Sequence, residues 1–234
     1  MIDIISKKAA YTPGVRAHVF GGSQEYGVGA RYGGEIGDST HYRVSLKGER
    51  IEDYAFSGSY DGNDAWGQLR LGFRSDTKLS ENRERTFLAD YFDLDREAAP
   101  GVRSGVLPFP VVGFAPEDQI QRGGNVVVKY AQDFDDGSYF EAKSHYDGVQ
   151  RNISIKEESH MADLEFLYNR SLMDDLDVIV GGSYRFWTTI RASPRAESVS
   201  HRTTKTSTWA AASCSSTSIS SMTGSRSLSG PSSV

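Results

Sequence analysis

The 234-residue chain has one cysteine, Cys214. A single thiol excludes an internal disulfide framework and a zinc site built on several thiolates. The chain also lacks a run of about 18 apolar residues, which excludes a membrane-spanning helix. Basic residues are outnumbered, with 26 Lys+Arg against 31 Asp+Glu and a formal charge of −5. That balance argues against the clustered positive surface of a nucleic-acid-binding protein. The mean hydropathy of −0.47 suits a soluble protein. It equally suits a membrane β-barrel, in which only every second residue faces lipid. The first eight residues carry no secretory-signal pattern of basic, apolar and small residues. On sequence alone, the protein is cytoplasmic or the chain begins inside a longer gene.

Composition breaks sharply near residue 191. Residues 192–234 contain one acid, Glu197, and no Tyr or Phe, while 15 of these 43 residues are Ser and 6 are Thr. Such a tail reads as a low-complexity, disordered segment. The acids and aromatics belong almost entirely to residues 1–191, which need separate treatment.

In that larger part the hydrophobic period is two. Val15, Ala17 and Val19 alternate with Arg16 and His18; Tyr26, Val28, Ala30 and Tyr32 alternate with Gly27, Gly29 and Arg31. Similar runs centre on Val44, Leu71, Ala89, Val128, Ala142, Leu164 and Val180. The pattern predicts nine strands of roughly ten residues each. One face is aliphatic and aromatic; the other is charged or polar. A soluble β-sandwich and a membrane barrel share this binary pattern. Tyrosines near strand ends, among them Tyr26, Tyr42, Tyr91, Tyr130 and Tyr168, fit the aromatic girdles of a membrane barrel. They also fit ordinary strand enrichment in Tyr.

The connections favour the barrel. Links at residues 34–38, 75–82, 132–137 and 170–175 are short, polar and turn-like. The alternate links, 50–64, 93–122 and 147–159, are longer, and only the first hairpin, near Gly22, departs from this sorting. Short turns at one end and long loops at the other are how outer-membrane barrels are organised. The expected fold is therefore all-β: an antiparallel, up-and-down transmembrane β-barrel segment of about nine strands, open and incomplete. The alternative is a soluble β-sandwich that binds a ligand of the carbohydrate type.

Several stretches resemble TonB-dependent outer-membrane receptors. Residues 2–9 (Ile-Asp-Ile-Ile-Ser-Lys-Lys-Ala) look like the strand that closes the plug domain, and Gly14 then opens the first barrel strand. Residues 25–34 and 37–48 look like the second and third barrel strands, and residues 63–74 like the fourth. The resemblance implies three parts: residues 1–12 as the end of the plug, 13–191 as a partial barrel, and 192–234 as the Ser/Thr-rich tail. The family also has a TonB box, a full plug and a barrel of 22 strands. The resemblance therefore implies a fragment that does not transport by itself. It further implies the Gram-negative outer membrane as the location, with the TonB energy-coupling complex, outer-membrane lipid and a small solute such as a ferric siderophore as partners.

The tail admits a second explanation, a shift of reading frame. A serine codon of the TCN type, read one base earlier, yields a codon ending in TC, which encodes Phe, Leu, Ile or Val. A threonine codon yields Asp, Asn, His or Tyr. With suitable third bases, residues from Lys205 onward can then read as an alternating strand, an Asp-Asp turn and another strand.

Other chemistry has little support. Gly27, Gly29 and Gly33 loosely match a dinucleotide loop, but that motif needs a helix after it, and these glycines sit in a β alternation. His18, His41, His145, His160 and His201 show no metal-ligand spacing. The acidic groups at Asp133–Asp136 and Asp174–Asp175 lack the order of a calcium loop. No nucleophile motif is present, so neither an enzyme, a resident metal nor a cofactor is expected. The segment from Asp93 to Arg122 holds the candidate ligand contacts. As external-loop cations, Arg96, Arg103 and Arg122 could pair with an anionic solute.

Overall fold

The computed structural model describes residues 6–54, 63–98, 101–104, 111–114, 117–153, 155–173, 176–192 and 200–216. Its strands are β1 (Gly14–Gly21), β2 (Glu25–Ile36), β3 (Thr40–Ile51), β4 (Trp66–Ser80), β5 (Arg83–Ala98), β6 (Gly101–Ser104), β7 (Val111–Phe114), β8 (Glu117–Asp133), β9 (Tyr139–Ile153), β10 (Ile155–Met173), β11 (Leu176–Ala192) and β12 (Ser200–Ser216). Ten of them form one open antiparallel sheet in the order β1-β2-β3-β4-β5-β8-β9-β10-β11-β12. The small hairpin β6–β7 interrupts the order between β5 and β8. The fold is thus all-β, up-and-down and unclosed, with β1 and β12 at the two edges.

Nine strands of this sheet coincide with the nine alternating runs. The tenth, β12, comes from the Ser/Thr-rich segment and pairs with β11 from Leu176↔Ser216 to Ala192↔Ser200. Backbone pairing needs no apolar side chain, and Thr suits a pleated strand. The later strands are also longer than ten residues; β8 has 17 and β10 has 19. This corrects two of the long links. Asp93 and Arg122 are a cross-strand pair inside the β5–β8 ladder, so the connection there is residues 99–116. The link placed at 147–159 is almost all strand, since β9 runs to Ile153 and β10 starts at Ile155. Alternation of apolar and polar residues marks only the part of a strand with one apolar face. Beyond it both faces are polar, the pattern fades, and the ladder continues.

The short-turn end agrees with expectation. Gly37 (φ +61°) and Gly137 (φ +77°) take left-handed conformations there, which glycine adopts without a Cβ penalty. Asp136 accepts hydrogen bonds from the Ser138 amide (3.1 Å) and hydroxyl (2.6 Å), an Asx-type closure of the β8–β9 turn.

The register assigns every strand residue to a face. One continuous apolar face carries Val15 and Val19, Val28, Leu46, Leu71 and Phe73, Tyr91, Val126, Tyr146, Leu164 and Phe166, and Val180 and Tyr184. These side chains are exposed, Val19 at 82% and Leu164 at 54%. Among the described residues the only buried hydrophobics are Ala9 and Ala65. Among the described residues no second layer covers the apolar face. A soluble sandwich would bury it against another sheet. Aromatic pairs Tyr32–Tyr42, Phe73–Phe87 and Tyr130–Phe140 lie toward the short-turn end of this face, and Tyr146–His160 toward the other.

Candidate functional site

The polar face carries the charged residues that alternate with this apolar set. Cross-strand pairing sets their ion pairs. Lys129 meets Glu141 at 2.8 Å and Lys143 meets Glu165 at 3.5 Å. Arg185 Nε donates to Asp163 at 2.8 Å. Glu157 accepts from Arg191 at 2.6 Å and lies 3.5 Å from Arg151.

The segment before β1 docks on this face. It forms no strand over residues 6–12, only a 3-10 turn at Ala9–Tyr11; residues 2–5, the other part of the expected strand, lie outside the described residues. Arg74 and Asp76 of β4 hold it. Arg74 Nε and Nη2 clamp the two Asp76 carboxylate oxygens at 2.7 and 2.8 Å. Arg74 Nη1 also donates to the Ser6 hydroxyl (2.7 Å) and carbonyl (3.2 Å). Asp76 accepts the Ala9 amide (2.7 Å) and the Thr86 hydroxyl (2.9 Å). Arg43 donates to the Lys7 carbonyl at 3.1 Å, and Lys8 pairs with Glu84 at 2.8 Å. Arg74 is only 8% exposed, so it is a buried ion pair whose remaining hydrogen-bonding capacity goes to the docked segment. The Lys8–Glu84 pair is about half exposed and contributes at most about 1 kcal/mol. Next to the segment a cavity of about 610 Å³ opens between Lys8, Glu84, Lys129 and Glu141.

The glycines of the loose dinucleotide match all lie in β2, with no helix after them. They make room for packing. A Cβ on Gly27 would meet the Phe20 ring at 2.6 Å, one on Gly29 the His18 ring at 2.0 Å, and one on Gly33 the Thr12 carbonyl oxygen at 2.1 Å.

The three candidate arginines separate. Arg96 is in β5 on the polar face, in the row Ile51–Trp66–Arg96–Gln119. It lines a cavity of about 450 Å³ with Asn63, Asp64, Trp66 and Gln119. The neighbouring link is held at its base by Asp53, which accepts the Asp64 and Ala65 amides at 2.7 and 2.8 Å. Arg122 is in β8 on the opposite, apolar face, where Nε lies 3.0 Å from Asp93. Arg103 lies in β6. The structure therefore does not bring Arg96 and Arg122 to one site. Arg43, Arg74, Asp76 and Glu84, the residues that hold the N-terminal segment, were not singled out by sequence. Their one signal was a charge opposite an apolar neighbour, as Arg74 follows Phe73, and every strand repeats it.

Comparison with solved structures finds a structural likeness. The chain is similar to the crystal structure of the ferric-catecholate import receptor Fiu from E. coli K12 in an open form. The TM-score is 0.45 at 9% identity, over 89% of this chain and 52% of that one. The chain thus spans about half the length of that receptor. No protein-family model matches the chain, and no curated protein matches it.

Among the described residues no helix is long and apolar enough to cross a membrane. A spanning strand tilted by about 45° needs about 9–11 residues. Strands of 15 to 19 residues, as in β4 and β10, exceed that. They leave polar ends beyond the apolar belt.

Proposed function

We propose that this chain is part of a TonB-dependent outer-membrane receptor that takes up a scarce solute, a ferric siderophore in our reading. The observation that carries the membrane assignment is the exposed apolar face of the single sheet. It is rimmed by aromatic rings and backed by a face of ion pairs. Lipid covers such a face; water does not. The family assignment rests on the sequence resemblance of residues 2–74. In that reading Ser6–Thr12 is the end of the plug, and Arg74 and Asp76 join it to the barrel wall. Among the described residues the edges β1 and β12 are unpaired. Lipid cannot satisfy their backbone groups, so the barrel closes only with further strands. Uptake requires no covalent chemistry. It requires solute capture and a plug that TonB can rearrange.

The capture site in this reading is the cavity around Arg96, at the end of the sheet opposite the tight turns. A planar guanidinium beside the Trp66 ring suits an anionic, aromatic chelate. Partition tests the membrane assignment. Made without detergent, the chain should sediment as aggregate and need detergent or lipid to refold. A soluble monomer that melts cooperatively would rule the assignment out. Solute capture is tested in the full-length gene product: a bound ferric chelate should quench tryptophan fluorescence, and Arg96→Ala should weaken that binding about tenfold, the loss of one charge-assisted contact of about 1.5 kcal/mol. Unchanged affinity would remove Arg96 from the site.

A further inference from the structure

Arg122 is on the wrong face for solute, and its surroundings describe a different ligand. Two cross-strand rows meet there at the top of the apolar belt. One is Arg122–Gln150–Glu158–Ile190, and the next is Ile120–Asn152–Lys156–Ala192. Together with Arg151 and Glu157 they line a cavity of about 370 Å³ at this end of the sheet. Arg122 Nε engages Asp93, and its terminal nitrogens make no hydrogen bond to the described residues. Lys156 is exposed and has no ion pair among the described residues. The nearby acids are engaged: Glu158 with His160 at 2.9 Å, Glu157 with Arg151 and Arg191.

The row below this cavity runs Tyr91–Gly124–Gly148–His160, with the His160 ring, hydrogen-bonded to Tyr146 at 2.8 Å, beside Gly148. Gly124 and Gly148 are register partners there. Directly beneath them an apolar cavity of about 450 Å³ is lined by Leu71, Phe73, Tyr91, Gly124, Val126 and Tyr146. The face therefore presents two cations above, a glycine pair between Tyr91 and His160, and an apolar groove below. Cations at a membrane interface attract anionic headgroups, and apolar grooves accept acyl chains.

We propose that this outward face binds one phosphorylated lipid, with phosphate at Arg122 and Lys156 and an acyl chain in the groove below Gly124. The inference rests on the membrane reading above. Native mass spectrometry of the full chain refolded into detergent micelles tests it. The probes are dioctanoyl phosphatidic acid, dioctanoylglycerol and inorganic phosphate.

Wild type should retain the phosphatidic acid in preference to the glycerol. Arg122→Gln and Lys156→Gln should each reduce retention about fivefold, the factor expected of one cation at an anionic surface. Lys156→Arg should restore it. Lys47→Gln, on the polar face and paired with Glu49 at 2.6 Å, should leave it unchanged. Three results would overturn the proposal while leaving the membrane reading intact: equal retention by the Gln variants, equal retention of dioctanoylglycerol, or displacement by equimolar inorganic phosphate. A chain that never enters micelles would overturn the membrane reading itself.

Discussion

Arg74 fastens the N-terminal segment to the sheet through several bonds at once. Its loss strands Asp76, a carboxylate already shielded by the Ala9 turn and Thr86. Breaking one partner of a buried pair costs about 3–5 kcal/mol. Arg74→Ala should therefore release residues 6–12, and trypsin should cut at Lys7 and Lys8 at least tenfold faster than in wild type, about 1.4 kcal/mol of lost protection. Lys8→Ala, which removes only a half-exposed pair, should change little beyond its own cleavage site. Gly33→Ala should act like Arg74→Ala by another route, because its Cβ would fall 2.1 Å from the Thr12 carbonyl oxygen, a backbone atom that has to move. Unaltered cleavage in both Arg74→Ala and Gly33→Ala would show that the segment is held elsewhere.

The β8–β9 turn responds to pH. The Ser138 hydroxyl and amide bond Asp136 in its charged form, and Arg170 lies 3.5 Å away. These contacts hold the Asp136 carboxyl below its ordinary value. A depressed carboxylate pKa adds stability above the unfolded value, and that stability is lost as pH falls through the folded one. Exchange of the Ser138 amide with solvent, corrected for intrinsic pH dependence, should speed up as pH drops below about 4, the ordinary carboxylate range. Asp136→Asn should show no such step.

Among the elements, the existence of nine strands was legible in sequence, while their lengths and the strands β6, β7 and β12 were not. Val126, Val128 and Tyr130 mark β8 because each second residue meets the apolar belt. Glu117 to Arg122 extend the same strand with Ile120 as their one apolar residue, so periodicity cannot find them. The same loss of contrast hid the separation of Arg96 from Arg122. Both are cations in one stretch of sequence, yet face assignment depends on register, which the polar strand ends do not encode. The docked segment was likewise hidden, since Arg74 contacts residue 6 and Asp76 contacts residue 9 across nearly the whole length of the first four strands.

β12 is the element least like its neighbours. Its register positions on the outward face are Arg202, Thr204, Thr206, Thr208, Ala210 and Ala212, where β11 presents Ile190, Phe186, Tyr184 and Val180. A strand with mostly Thr and Ala on a lipid-facing side is a weak membrane element. In the shifted-frame reading, from Lys205 onward, serine codons become apolar and threonine codons become Asp, Asn, His or Tyr, which is an alternating strand pattern. Sequencing the gene checks it: the shifted frame should stay open from codon 190 onward and encode further strands. Stop codons between 190 and 205 in that frame would end the explanation.

At the scale of the whole molecule, the account turns on which face of one sheet meets lipid. The native tryptophans Trp66 and Trp187 lie on the polar face by register, as does the register position of Trp209 opposite Ser183. The apolar face has none. The most direct test is fluorescence quenching by brominated lipid of the chain refolded into vesicles, comparing Leu71→Trp with Arg70→Trp. These neighbours in β4 face opposite sides of the sheet. The account predicts strong added quenching at position 71, little at 70, and weak quenching of the wild type. Equal quenching at the two positions, or quenching at 70 alone, would contradict it.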